Sequence, residues 1–343
     1  MGTMSRAMAF VANESQAIAY FASNVSGCTS VVTSTVQLAE FARSLTPIAG
    51  GDEVVFRSLT DEETPRRQDW LRLSWHAKHF DVLYISSTFS AAHKYVSFGR
   101  PAGAYSYFDD GLATYTMRRV HTERSRVLRY WSNRVRKLEE ADIPLDDNLF
   151  SEAHLYCPML SSFSGKKHQI DKEKYKAVVD LAIRQKFAKL PRIPNSPYVL
   201  LALGGKGFDF NHDYIMSLIS RLNTAGWHVV IKPHPRHDSR KLLHEESLND
   251  GMTMVTGDFP IELLFGSHAG SIVAVVGPPT TALLTATQIY GLPSYYILQD
   301  GTAEIRAGDF CYSDCGGFLA KLGVQNFQYQ MGVLFARSPG RDL

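Results

Sequence analysis

Residues 198–236 read YVLLALGGKGFDFNHDYIMSLISRLNTAGWHVVIKPHPR, and residues 271–301 read SIVAVVGPPTTALLTATQIYGLPSYYILQDG. The first is an apolar run, a glycine turn, an amphipathic helix and a second apolar run, Trp227–Ile231. That run ends in Lys232-Pro233-His234-Pro235-Arg236. The second is an apolar run, Pro278-Pro279-Thr280-Thr281, a helix over Ala282–Tyr290 and a strand at Ser294–Leu298. Short apolar runs bounded by glycine and proline, alternating with helical patterns, predict βαβ units and a parallel sheet. Ligands of such sheets gather outside the carboxyl ends of the strands. The stretch 198–301 is therefore read as a nucleotide-binding half, with His234 and the Thr280-Thr281 pair at strand ends.

Each of these signals has a plain structural alternative. Gly204-Gly205-Lys206-Gly207 lets backbone amides approach an anion closely, yet it matches neither a dinucleotide fingerprint nor a P-loop. His234 stands between two prolines that limit its backbone, and a histidine suits proton transfer near neutral pH; a turn with an incidental histidine is the alternative. Glu262 falls in the first turn of a helix expected to carry Pro260 at its first position. It suits ribose hydroxyls, or it simply pairs with the helix dipole. Thr280 and Thr281 suit a helix cap, or a phosphate held at a helix N-terminus.

Upstream, the same alternation continues. Strands are expected at Ala7–Val11, Cys28–Thr33, Glu53–Phe56, Phe80–Ser86 and Tyr105–Phe108, and helices at Glu14–Ser23, Val36–Leu45 and Arg66–Lys78. The strand at Tyr105–Phe108 runs into Asp109-Asp110-Gly111. Taken alone, a solvated turn is the simpler reading of that triplet. Leu160–Lys167 reads as loop and Asp171–Lys189 as helix. Residues 190–197, Leu190-Pro191-Arg192-Ile193-Pro194-Asn195-Ser196-Pro197, break any regular element and mark the boundary between domains 1–190 and 191–343. Residues 317–343 read as a weakly patterned tail, with a last helix that packs across the domains.

Composition narrows the class. Hydrophobic residues make up 45% and charged residues 20% of 343, as in globular proteins, and a net charge of +2 argues against a nucleic-acid partner. Four scattered cysteines fit buried thiols in a reducing compartment, and Cys311 and Cys315 could share a helix face. Zinc on them is a poor expectation, since no second ligand pair accompanies them. No apolar run approaches the ~20 residues that span a bilayer, and the N-terminus lacks a secretory pattern. A cytoplasmic protein is expected, with peripheral attachment at the inner membrane left open. Arg118–Lys137 holds Arg118, Arg119, Arg124, Arg126, Arg129, Arg134, Arg136 and Lys137 against Glu123, with apolar residues at helical spacing. It is a solvated helix face, or a contact with an anionic membrane surface.

The ordered set Asp109-Asp110-Gly111, His234-Pro235 and Thr280-Thr281 resembles the three short motifs of bacterial sialyltransferases. Those motifs are an acidic pair with glycine, His-Pro, and a Ser-Ser/Thr pair; Thr280 departs from the usual serine but keeps a hydroxyl. The resemblance covers roughly Tyr105–Gly301. It implies an α/β chain of the GT-B fold, two Rossmann-like domains facing across a cleft. It implies CMP-sialic acid as donor, a glycan hydroxyl as acceptor, inversion at the anomeric carbon, and neither cofactor nor metal. Lipooligosaccharide sialyltransferases and capsule polysialyltransferases are the groups it points to.

Within that resemblance the residues take roles. Asp110 first, or Asp109, is the base for the acceptor hydroxyl, and the pairing of two carboxylates is expected to raise one pKa. His234 is the acid for departing CMP. Thr280, Thr281, Gly204 and Gly205 hold the phosphate without a metal. Lys232 and Pro235 join the donor site, and Glu262 binds the ribose. The base and the acid come from different domains, so closure would assemble the site. The alternatives are another nucleotide-sugar enzyme of the same shape, glycosyltransferase or epimerase, and a non-catalytic membrane-surface binding protein.

Overall fold

Ala7–Val11 is an unbroken run of five buried residues, as expected of a central parallel strand covered on both faces. It is an inner strand of the first sheet in a computed structural model. The structure describes residues 6–23, 28–49, 55–58, 66–86, 104–119, 144–145, 149–185, 193, 195–204, 212–234, 251–255, 259–298, 304–307 and 310–327. The chain divides into two compact units, Met1–Phe187 and Ala188–Leu343.

In the first unit, β1 (Ala7–Val11), β2 (Cys28–Thr33), β3 (Val55–Ser58), β4 (Val82–Ile85) and β5 (Ala104–Phe108) are followed by short β6 (Met117–Arg119), then β7 (Phe150–Leu155) and β8 (Lys166–Gln169). Seven of these strands form one sheet in the order β3-β2-β1-β4-β5-β7-β8, and every pair in it is parallel. The strand order reverses between β1 and β4. The helices are α1 (Glu14–Ala22), α2 (Val36–Ser44), α3 (Thr46–Ala49), α4 (Arg67–Ala77), α5 (Leu112–Thr116) and α6 (Lys172–Arg184). Their starts are written in the sequence. Asn13, Thr35 and Asp171 each cap a helix with a side-chain oxygen that accepts from a first-turn amide. One face of the sheet packs Met8, Phe10, Leu83, Ile85, Tyr107, Ala153 and Leu155 into a core closed by Leu73 and Ala77 of α4.

Two strands here depart from the sequence reading. Residues 150–155 were not expected as a strand, and Leu160–Lys167, expected as loop, ends inside β8. The polar string Lys166-Lys167-His168-Gln169 forms the edge strand of the sheet, where no apolar pattern is needed.

In the second unit, β9 (Tyr198–Ala202), β10 (His228–Lys232), β11 (Met252–Met254), β12 (Ile272–Gly277), β13 (Ser294–Tyr296) and β16 (Gln325–Asn326) form a parallel sheet in the order β11-β10-β9-β12-β13-β16. This is the doubly wound pattern, with its switch between β9 and β12. The helices α7 (His212–Thr224), α8 (Glu262–His268), α9 (Thr281–Gln288) and α10 (Cys315–Lys321) complete the unit. Val199, Leu201, Ile219, Leu222, Val229, Ile231 and Val276 make its core.

The tail expected to lack pattern from Gly317 carries most of α10 and the sixth strand of this sheet. Residues beyond 327, including the helix expected to pack across the domains, lie outside the described residues. β14 (Glu304–Ala307) and β15 (Phe310–Ser313) form an antiparallel hairpin. Cys311 lies in that hairpin and Cys315 opens α10, so the two share no helix; both are buried and neither is in a disulfide. Pro260 stands before the start of α8, whose N-cap is Ile261, so it does not hold the first helical position.

Candidate active site

Asp109 sits where β5 ends, and its carboxylate is fully engaged. Oδ1 accepts from the Gly111 amide at 2.8 Å and the Thr114 hydroxyl at 2.7 Å. Oδ2 accepts from the Tyr156 amide at 2.8 Å and from the Tyr115 hydroxyl. The Asp109 amide in turn donates to the His154 carbonyl at 2.9 Å. Asp109 thereby ties the β5–α5 turn to the end of β7. Gly111 is the N-cap of α5 at φ 81°, a left-handed conformation that a side chain would strain, which explains glycine after the acidic pair. Thr114 spends its only proton on Asp109, so it accepts from the Asp110 amide at 3.1 Å and from the Tyr107 hydroxyl at 2.8 Å.

Burial decides the electrostatics. Asp109 is 1% exposed, and desolvation raises its pKa to about 7 against the pull of its four hydrogen bonds. The cause at Asp109 is burial, and repulsion from Asp110 is not among those that act on it. Burial likewise holds the phenols of Tyr107 and Tyr115 well above their ordinary value, with Asp109 adding to it, so both stay donors. Burial pushes the neighbouring Cys157 thiol up to about 12, which makes it inert.

Asp110 differs. It is half-buried, and its Oδ1 accepts from the Gln16 side-chain amide at 2.8 Å. The Gln16 oxygen accepts from the Ala12 amide at 2.9 Å, and its backbone amide donates to the Asn13 side chain at 2.9 Å. The turn from β1 into α1 therefore holds Asp110 in place. Sequence reasoning did not single out Gln16. The available signal was its place just past the end of β1, beside the switch point of the first sheet.

In the second unit the expected residues occupy adjacent strand ends. Gly204 is buried just past β9, His234 half-buried just past β10, and Thr280 at the end of the turn from β12. The Leu203 amide donates to the Lys232 carbonyl at 3.0 Å, so the ends of β9 and β10 remain paired. β12 approaches β9 so closely that a Cβ on Gly277 would run into the Ala202 carbonyl oxygen. Lys232 is 3% exposed; its Nζ donates to the Pro233 carbonyl at 3.1 Å and lies over the Phe259 ring at 4.7 Å. Glu262 is buried in the first turn of α8.

Thr280 is the N-cap of α9, which starts at Thr281, one residue earlier than the sequence placed it, but its side chain makes no cap bond. Its hydroxyl is buried without a hydrogen-bond partner. Gly205, Pro235 and the stretch 120–137 lie outside the described residues, which leaves only Arg118 and Arg119 of the basic segment on β6. No helix among the described residues is long and apolar enough to cross a membrane.

Against this geometry, the family model described as alpha-2,8-polysialyltransferase (POLYST) matches residues 206–299. The matched span contains Lys232, His234, Pro235, Glu262, Thr280 and Thr281, and leaves out Asp109, Asp110, Gly204 and Gly205. No curated protein compared with the chain matches it. Among solved structures, a protein described as a UDP-N-acetylglucosamine 2-epimerase from Listeria monocytogenes is 11% identical with a TM-score of 0.52, over 87% of this chain and 80% of that one. The glycotransferase of kitacinnamycin is 12% identical with a TM-score of 0.51, over 98% and 92%. A 2,6-sialyltransferase from a Photobacterium is 12% identical with a TM-score of 0.49, over 95% and 80%. At such identities the likeness to the first two shows the fold alone, and that fold is GT-B.

Proposed function

The family match on this fold supports a glycosyltransferase of the sialyltransferase type, and we propose that it moves sialic acid from CMP-sialic acid to a glycan hydroxyl with inversion at the anomeric carbon. The observation that carries the chemistry is the division of labour in the acidic pair. Asp109 is consumed by four hydrogen bonds within the turn, whereas Asp110 is part-exposed and oriented by Gln16. Asp110 is then the general base. It takes the proton of the acceptor hydroxyl as that oxygen bonds to the anomeric carbon. The bond from that carbon to the phosphate breaks, and His234 gives its proton to the departing CMP.

The phosphate is held without a metal by Thr280, Thr281, the N-terminus of α9, Gly204 and Gly205. The unpartnered Thr280 hydroxyl supports this, since a buried polar group without a partner needs a reason, and a turn about χ1 would offer it to an anion. Glu262 takes the ribose, and Lys232 and Pro235 are assigned to the donor site. Synthesis of bacterial surface lipooligosaccharide or capsule is the setting in which such a transfer belongs.

The test is release of CMP from CMP-sialic acid by the purified chain, with and without a panel of labelled glycan acceptors. Acceptor-dependent release with label transfer supports the reading. Turnover of a different nucleotide sugar, with none of CMP-sialic acid, would replace it by another transferase or epimerase of this shape.

A further inference from the structure

Glu152 and His154 are two residues apart on β7, so their side chains leave the same face of the sheet. His168 on the neighbouring edge strand β8 is in direct register with His154. One carboxylate and two imidazoles thus meet, and one ligand atom from each lies within 4.8 Å of the others. The His168 Nε2 is 3.3 Å from Glu152 Oε2, and the His154 Nε2 is 4.0 Å from Glu152 Oε1. The two rings are stacked at 4.8 Å and 13°.

A hydrogen-bonded cluster leaves one feature unexplained. His154 is 4% exposed, and its Nε2, on the side of Glu152, has no hydrogen-bond partner. A buried ring nitrogen without a partner is costly, and a metal ion would satisfy it. The Ser106 hydroxyl donates to Glu152 Oε1 at 3.1 Å, the kind of outer contact that fixes a carboxylate ligand. Tyr84 packs its ring 6.0 Å from His154 on the other side. Two cations stand near. Lys166 is exposed at the sheet edge, and Lys174 of α6 reaches the Ser23 carbonyl at 3.5 Å.

We propose that Glu152, His154 and His168 bind a transition-metal dication of the zinc class, with water completing the shell. Two imidazoles and one carboxylate suit zinc, cobalt(II) or iron(II) and disfavour magnesium, which takes oxygen ligands. Nitrogen and oxygen ligands about 2.0–2.2 Å from zinc lie roughly 3.4 Å apart in a tetrahedron. The Glu152–His168 pair already has that separation; the His154 Nε2, now 4.0 Å from Glu152 Oε1, would move inward and its ring would tilt out of the stack with His168 to reach the same ion. The ion would clamp the edge strand β8 to β7. It would do so at the residue whose carbonyl receives the Asp109 amide, which makes it a brace for the acidic turn. The proposal is independent of the transfer reaction and of how the donor phosphate is held.

The test uses the full chain, stripped with chelator and titrated with cobalt(II). A four-coordinate visible absorption band is expected at about one ion per chain, displaced by zinc and not by magnesium. His168→Gln, on the part-exposed edge, is expected to weaken cobalt binding by more than ~10-fold with the circular dichroism unchanged. Glu152→Gln gives the same answer should His168→Gln fold poorly. No band in the parent, or an equal band in both variants, overturns the site.

Discussion

The side-chain amide of Gln16 donates to Asp110 Oδ1 at 2.8 Å, across 94 positions of sequence. This bond ties the carboxylate chosen as base to the first turn of the sheet. Asp110→Asn is expected to lower turnover by ~10²–10⁴ while CMP binding persists. Gln16→Glu keeps the acceptor for the Ala12 amide but sets a second carboxylate against Asp110. Turnover near neutral pH should fall, and the rising limb of the pH–rate profile should move to higher pH. An unmoved profile in Gln16→Glu, measured over the full pH range, would remove Gln16 from the site.

Asp109 sets a pH dependence of stability rather than of rate. Its folded pKa of about 7 lies above the 3.8 of the free side chain. The folded state therefore binds a proton that the unfolded state has released. The contribution is fully present below the unfolded value and is lost as pH rises through about 7. Between pH 4 and 8 the loss amounts to a few kcal/mol, on the order of 1.4 kcal/mol per pKa unit. Chemical denaturation of the parent and of Asp109→Asn across this range should show the parent losing ground to the variant as pH rises. Parallel curves would show that Asp109 is ionised throughout.

The elements that could be read from the sequence are those with an apolar reason to exist. Val199 to Leu201 and Val275-Val276 are buried on both faces, so their runs are unbroken and their strands were legible. Lys166 to Gln169 has no such reason. It is an edge strand joined to its neighbour by backbone bonds, and nothing in its side chains announces it. The site divides in the same way. The triplet Asp109-Asp110-Gly111 was visible because Gly111 needs its positive φ and the pair is short in sequence. Which carboxylate points inward depended on Thr114, Tyr115 and Tyr156, and the orientation of the other on Gln16. These are contacts of the folded sheet that no local pattern encodes. The cluster of Glu152, His154 and His168 was hidden for the same reason, since both its strands were.

His234 stands at the end of β10, one strand from Gly204. If it protonates the departing phosphate, His234→Ala should cut transfer strongly with CMP-sialic acid and much less with a donor whose leaving group needs no proton. Steady-state kinetics on both donors decide between chemistry and grip. Equal losses would make His234 a residue that positions the nucleotide.

Thr280 allows a cleaner separation of structure from binding. A threonine that capped α9 through its hydroxyl would cost about 1 kcal/mol on removal. Here that hydroxyl makes no cap bond and has no partner in the fold. Thr280→Val keeps the branched shape and deletes an unsatisfied polar atom, so the melting temperature should hold or rise slightly. CMP binding should nevertheless weaken, because a hydrogen bond to a charged group contributes roughly 1.5–3 kcal/mol, or about 10–100-fold in affinity. Cytidine, which lacks the phosphate, should bind both proteins alike. Adding Thr281→Ala should deepen the loss for CMP and not for cytidine. Calorimetric titration of both ligands into parent, single and double variants reads this directly. If CMP and cytidine lose affinity in step, the turn after β12 shapes the nucleoside pocket and the phosphate lies elsewhere.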